Sequence, residues 1–322
     1  MDLLLDILRD GQFHSGDAIG ERLGVGRAAV WKQLKRLQDL GLDLDSVKGR
    51  GYRLAPGTEL LDRGHITRAL DDGLMPIKLD LFSTLDSTNE YVLAQECAAK
   101  GYFCMSEHQS AGRGRRGRQW CSPFGANLYL SCLWEFAEGV AALEGLSLAV
   151  GLAVQRAIAR ETGSYMHLKW PNDLLWQGRK LAGILLEISG DPAGECRVVI
   201  GVGVNFRLTK AQRDLVDQPC ADLSELPGKL PSKNRFAASL ISELLRVLSS
   251  FERHGFKPFM DEWSQYDAFK GQVISVQVGS GQWCEGVSHG VDQHGALQVD
   301  TDKGLISYRG GEVSLRGSAD DT

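Results

Sequence analysis

Apolar residues recur at helical spacing three times within the first forty positions: Leu4, Ile7 and Leu8, then Ile19 and Leu23, then Val30, Leu34 and Leu37. Steps of three and four place each set on one face, which predicts three amphipathic helices, the second over about 17–23 and the third over about 27–40. Only Gly24-Val25-Gly26 separates the last two. Leu44–Val47, the Lys48-Gly49-Arg50-Gly51 turn and Tyr52–Leu54 then read as strand, turn, strand. Helix, short turn, helix, basic hairpin is the pattern of a winged helix-turn-helix.

Beyond Pro56-Gly57, which reads as a linker, the pattern becomes mixed. Residues 78–82 and 127–134 are strand-like, and strands are predicted near 165–169, 180–188 and 197–204. Helices are predicted over 88–100, 143–161, 234–251 and 256–269, the one over 143–161 apolar enough to be buried. From Gly271 onward only short strands remain, at 273–278, 282–287, 296–300, 305–308 and 312–315, punctuated by glycine. The fold class is therefore α+β in three units. Residues 1–56 form the winged helix-turn-helix, 67–269 a mixed sheet with covering helices, and 270–317 a small SH3-like β-barrel. The 318–322 tail is polar and expected to fray.

Composition narrows the function classes. The net charge of -5 argues against indiscriminate polyanion binding. Residues 22–53 nevertheless carry eight Lys/Arg against three Asp, a net +5. That asymmetry points to DNA, with Arg27, Lys32, Lys35 and Arg36 on the third helix and Lys48 and Arg50 on the wing. Seven scattered cysteines without a C-x-x-C pair suggest neither a disulfide framework nor a zinc site, and reduced thiols suit a cytoplasmic protein. The N-terminus lacks the basic region of a signal peptide. No apolar run approaches the ~20 residues of a membrane span.

The candidate chemistry lies in the middle unit. Gly112-Arg113-Gly114-Arg115-Arg116-Gly117-Arg118-Gln119-Trp120 concentrates guanidiniums and an aromatic on glycine-rich backbone, a combination suited to phosphates and a base. It spells G-x-G-x-x-G, yet Cys121-Ser122-Pro123-Phe124-Gly125 follows where a dinucleotide fingerprint needs a helix. No G-x-x-x-x-G-K-[ST] or G-x-S-x-G occurs. Asp86-Ser87-Thr88-Asn89-Glu90 reads as a capping box that also offers donors and acceptors to a polar neutral ligand. In Lys169-Trp170-Pro171-Asn172-Asp173 the bland reading is a turn after a strand. Its functional reading sets Lys169 on phosphate and Asp173 near Mg2+ or a ribose. Lys180 opens an apolar strand and must snorkel or meet an anion. Gly201 and Gly203, just before Asn205, offer backbone that a ligand can approach. Many cations and polar neutral groups without a nucleophile fit nucleotidyl transfer, where positioning and charge neutralisation do most of the work.

These motifs, in this order along essentially the whole chain, resemble the bifunctional biotin–protein ligase and biotin-operon repressor family of bacteria. The segments that carry the resemblance are Asp86–Asn89, Gln109–Arg118, Ser122–Leu130, Lys169–Asp173, Arg179–Ile184 and Gly310–Arg316. The resemblance makes the middle unit a ligase domain. It implies biotin held by Ser87, Thr88, Asn89, Gln109, Arg113, Gly114, Arg115 and Lys180. ATP and its Mg2+ would be met by Arg118, Trp120, Lys169, Asn172, Asp173 (the metal's carboxylate) and Asn205, with Trp120 against adenine. Lys180, Arg115 and Lys169 would be the catalytic cations, Lys180 nearest the reacting carboxylate. Biotinyl-5′-AMP would be both intermediate and corepressor. The partners would be the biotin carboxyl carrier protein of acetyl-CoA carboxylase, operator DNA and a second copy of the chain in an adenylate-bound homodimer, with no membrane. One departure is visible, since Gly26 stands where the family usually shows a serine cap. The alternatives are a lipoate– or octanoate–protein transferase, a non-catalytic ligand sensor, and a ligase with a vestigial DNA module.

Overall fold

A computed structural model describes residues 2–190, 194–278, 282–309 and 314–317. The N-terminal unit contains α1 (Asp2–Leu8), α2 (Gly16–Leu23), α3 (Arg27–Asp39) and the hairpin β1 (Leu44–Val47) with β2 (Gly51–Leu54). Ser15 caps α2 by accepting from the Ala18 amide. Gly26 begins α3 in an extended conformation without a side-chain cap. The apolar faces of all three helices close on one core that includes Leu4, Ile7, Ile19, Val30, Leu34 and Leu37.

The middle unit continues with α4 (Arg63–Ala69), β3 (Lys78–Phe82), α5 (Thr88–Leu93), β4 (Tyr102–Ser106), β5 (Asn127–Phe136) and α6 (Leu146–Thr162). Then come β6 (His167–Lys169), β7 (Asp173–Trp176), β8 (Arg179–Gly190), β9 (Cys196–Asn205), α7 (Lys210–Arg213), α8 (Lys233–His254) and α9 (Met260–Tyr266). Seven strands form one sheet in the order β3-β4-β5-β9-β8-β7-β6. Only β3 and β4 run parallel; the remaining pairs are antiparallel. β5 is buried at nine of its ten positions and intermediate at the other, as expected of a central strand covered on both faces. α6 packs between α8 and the sheet.

Four sequence readings need correction. The helix from Thr88 stops at Leu93 rather than near Lys100. Beyond Val92 the positions three and four residues on are Gln95 and Glu96, so no apolar face continues, and the Gln95 and Ala98 carbonyls instead accept from Arg197. The helix expected over 256–269 is a 3-10 turn at Lys257–Phe259 followed by the short α9, which stops after Tyr266 because Asp267 leaves the helical conformation and its side chain accepts from the Phe269 amide (2.9 Å) instead. β4 was not anticipated: all five residues are buried, so no alternation marks it. The stretch Val140–Thr162 is, by length and composition, apolar enough to cross a bilayer. Two-thirds of that window is buried within the fold, and the helix forms the core layer under the sheet.

The C-terminal unit has β10 (Val273–Val278), β11 (Gln282–Val291), β12 (Leu297–Thr301), β13 (Gly304–Tyr308) and β14 (Ser314–Gly317). Among the described residues they form an antiparallel sheet in the order β13-β12-β11-β10-β14. Positions 310–313 and the 318–322 tail lie outside the described residues.

Candidate ligand and DNA sites

α5 starts at Thr88 because the Ser87 hydroxyl accepts from the Glu90 amide. A parallel bridge between Leu85 and Gln109 brings the Gln109 side chain to that helix start. There its Oε1 accepts from the Thr88 amide (2.9 Å) and hydroxyl (3.1 Å), while its Nε2 donates to Ser122 (3.2 Å). From Thr88 a polar chain runs across the sheet. Ser131 Oγ contacts Thr88 Oγ1 (2.7 Å) and Asn89 Oδ1 (2.5 Å), Asn89 Nδ2 donates to Glu187 (2.7 Å), and Arg113 pairs with Glu187 (3.3 Å). Ser131 and Glu187 were missed by sequence reasoning. The available signal was a polar residue flanked on both sides by apolar ones, Ser131 in β5 and Glu187 in β8, where an unpaired polar group is costly.

The arginine loop is ordered by its own hydrogen bonds. Gly114 N–H donates to the Arg118 carbonyl (2.7 Å), Arg113 bridges to Gln119, and Trp120 N–H donates to the Gly112 carbonyl (2.9 Å). Arg116 (φ 57°) and Gly117 (φ 72°) make the tip of this small hairpin. The Trp120 indole lies on the sheet where Gly183 of β8 and Gly203 of β9 pair. A Cβ at Gly203 would stand 2.6 Å from the ring and one at Gly183 2.9 Å. Gly201 likewise makes room for Asn89, whose Oδ1 would be 2.3 Å from a Cβ there. The glycines on β9 thus admit the chain's own side chains.

Two adjoining cavities result. A cavity of about 60 Å3 is lined by Ser87, Thr88, Asn89, Gln109, Arg113, Gly114, Arg115 and Lys180, with Trp120 and Asn172. A cavity of about 380 Å3 is lined by Arg118, Trp120 and Asn205, and again by Gln109 and Lys180, under an apolar edge of Leu208, Leu215 and Val216. Lys180, Gln109 and Trp120 therefore line both. The Lys180 ammonium is 2.8 Å from Asp173 Oδ1 and 5.3 Å from the Trp120 ring centroid. Asn172 holds the turn in place, donating to the Ile184 carbonyl (2.9 Å) and accepting from Arg115 (3.1 Å). Burial and the neighbouring Arg116 cation pull the Arg115 guanidinium below its ordinary value, yet an arginine stays charged at neutral pH. Asn205 donates to the Lys180 and Ala221 carbonyls (3.3 and 3.0 Å). Lys169 and Asp173 line neither cavity. The Lys169 ammonium lies 5.6 Å from the Phe269 ring centroid. Among the described residues no group of three or more His, Cys, Asp or Glu side chains is placed to hold a metal, and all seven cysteines are free.

In the N-terminal unit Lys32 and Arg36 are exposed along α3, and Lys48 and Arg50 at the hairpin turn. Lys35 pairs with Asp39 (3.0 Å) and Arg27 approaches Asp17 (4.0 Å). The Arg50 guanidinium stacks on Phe13 at 4.2 Å.

The chain is similar to known proteins over nearly its whole length. It is 40% identical to the bifunctional ligase/repressor BirA of Salmonella typhimurium, over 97% of this chain and 96% of that one. The protein of the same name from Escherichia coli is also 40% identical with the same coverage. Residues 81–205 match the biotin/lipoate A/B protein ligase family, 2–53 an HTH domain, and 271–316 the biotin protein ligase C-terminal domain. Among solved structures, the biotin protein ligase of Aquifex aeolicus in complex with biotin and ATP superposes with a TM-score of 0.65 at 27% identity, covering 75% of this chain and 99% of that one.

Proposed function

The chain belongs to the family of bifunctional biotin–protein ligases and repressors, and on that premise we propose how its residues perform the two activities. The protein attaches biotin to a carboxyl carrier protein at the expense of ATP, and it represses transcription through its helix-turn-helix unit. The carrier is that of acetyl-CoA carboxylase.

The observation that carries the ligase reading is that Lys180 lines both cavities. Biotin occupies the smaller one, enlarged as Trp120 shifts, with its ring against Ser87, Thr88, Asn89 and Gln109. ATP occupies the larger. A carboxylate oxygen of biotin attacks the α-phosphate, the bond to pyrophosphate breaks, and biotinyl-5′-AMP forms. A carrier lysine amine then attacks the acyl carbon, AMP leaves, and an amide remains. Two anions approach each other in the first step, so neutralisation is the main requirement. Lys180 meets the reacting oxygens once phosphate displaces Asp173, Arg115 spans biotin and phosphate, and Lys169 and Arg118 turn toward ATP. Trp120 packs against adenine, Asn205 meets ATP from the larger cavity, and Asn172 faces its phosphates from the smaller one. The closed arginine hairpin shields the mixed anhydride from water.

Asp173, 2.8 Å from Lys180, is the carboxylate that would hold a Mg2+ ion carried in on the triphosphate. Such an ion supplies further neutralisation of phosphate charge. Repression follows from the same intermediate. The adenylate acts as corepressor, promotes a homodimer, and the paired α3 helices with their wings read a two-fold operator. Arg27, Lys32, Lys35, Arg36, Lys48 and Arg50 supply its contacts. The free cysteines support a cytoplasmic location.

The test is ATP–pyrophosphate exchange with biotin, with lipoate and with no acid. Exchange with biotin alone is expected. Exchange with lipoate instead would move the chain to lipoate transfer. No exchange by folded, biotin-binding protein would leave a non-catalytic sensor.

A further inference from the structure

Trp31 is the fifth residue of α3 and is 59% exposed. The helix buries Val30, Leu34 and Leu37 against the N-terminal core, so Trp31 lies outside its apolar face. Leaving so large an apolar side chain in water forgoes its burial, and no contact among the described residues of the N-terminal unit accounts for it. Its neighbours decide what covers it. Arg27 and Ala28, four and three residues before it, and Lys35, four residues after it, share its side of the helix, and all are exposed. Ala28 and Ala29, also exposed, let the helix backbone come close to a flat partner. The partner must carry negative charge along its edges for Lys32, Arg36 and Lys48 and an apolar group between those edges for the indole. A DNA major groove has that arrangement. Phosphates line its rims, and the thymine methyl is the apolar group on its floor.

We propose that Trp31 is a specificity-determining residue of the DNA-binding unit, its indole packing on the C5 methyl of one thymine in each half-site. The inference rests on the repressor reading and deepens it. Lys32, Arg36 and Lys48 set the register on phosphate and carry little sequence information, whereas Trp31 reads one base.

The test uses the full chain with biotin and ATP present, and duplexes selected from a random pool. Each thymine of the selected site is replaced by uracil, which removes only the methyl. One thymine per half-site is expected to cost wild type about fourfold in affinity per methyl. Trp31→Ala should lose about as much on the thymine duplex and nothing more on the uracil one, with an unchanged salt slope and unchanged biotin-dependent pyrophosphate exchange. Trp31→Phe should restore part of the methyl discrimination. Equal affinity and equal uracil sensitivity in Trp31→Ala and wild type would overturn the assignment while leaving the repressor reading intact. Wild type that exchanges pyrophosphate but retains no duplex over random competitor would overturn both.

Discussion

At Gly201 a missing methyl group decides whether the polar chain beneath the smaller cavity can form. Asn89 Oδ1 sits where a Cβ would be, so any other residue pushes Asn89 off Ser131 and Glu187. Gly201→Ala is expected to raise the KM for biotin by about five- to 150-fold, the effect of a 1–3 kcal/mol overpacking, and to leave the KM for ATP close to wild type. Steady-state exchange kinetics with each substrate varied in turn checks this. Equal losses for both substrates would show that the sheet as a whole had shifted. The glycine pattern Gly201-Val202-Gly203 was legible as a place of close approach. That Asn89 and Trp120 make the approach was not, because each comes from a distant segment of the chain.

At the scale of elements, the short connection between the arginine hairpin and β5 ties the ligand sites to the DNA-binding unit. Phe124 is buried in the N-terminal core beside Leu42 and Leu60 rather than in the core of its own unit. Its amide donates to the Leu40 carbonyl (2.8 Å), and its ring stacks on buried His108. From α7, Gln212 donates to the Gly41 carbonyl (2.9 Å). Phe124→Ala should destabilise the protein by about 3–5 kcal/mol, with the N-terminal unit melting ahead of the rest. Calorimetry would show a second, earlier transition, and a single transition at the wild-type temperature would contradict the packing. In the sequence Phe124 sits between proline and glycine and reads as loop, since nothing local indicates which core it enters.

Across the whole molecule, the segment read as a linker is held from several sides. Glu59 accepts from the Lys233 amide (2.7 Å) and Asn234 (2.7 Å) at the start of α8, and Arg207 donates to the Pro56 carbonyl (2.6 Å). Glu107 accepts from the Leu61 amide and pairs with Lys233 at 2.7 Å, both side chains almost wholly buried. Removing one member of such a pair leaves a buried charge without a partner. Lys233→Met is therefore expected to cost about 3–5 kcal/mol, and adding Glu107→Gln should recover most of it. Denaturant unfolding of the single and double variants measures this, and additive losses would argue against the coupling.

Local chemistry determined much of this protein. Helical spacing placed α1, α2 and α3 and glycine turns marked the C-terminal strands, because those features act over a few neighbouring positions, while the arginine loop and the short polar motifs marked segments that meet at the two cavities. Tertiary structure decided the rest. It placed Lys180 between the cavities, drew in Ser131 and Glu187, inserted Phe124 into another unit's core, and turned a linker into a brace around Glu107. Each of these depends on contacts between segments far apart in the chain, and burial is what gives such contacts their energy.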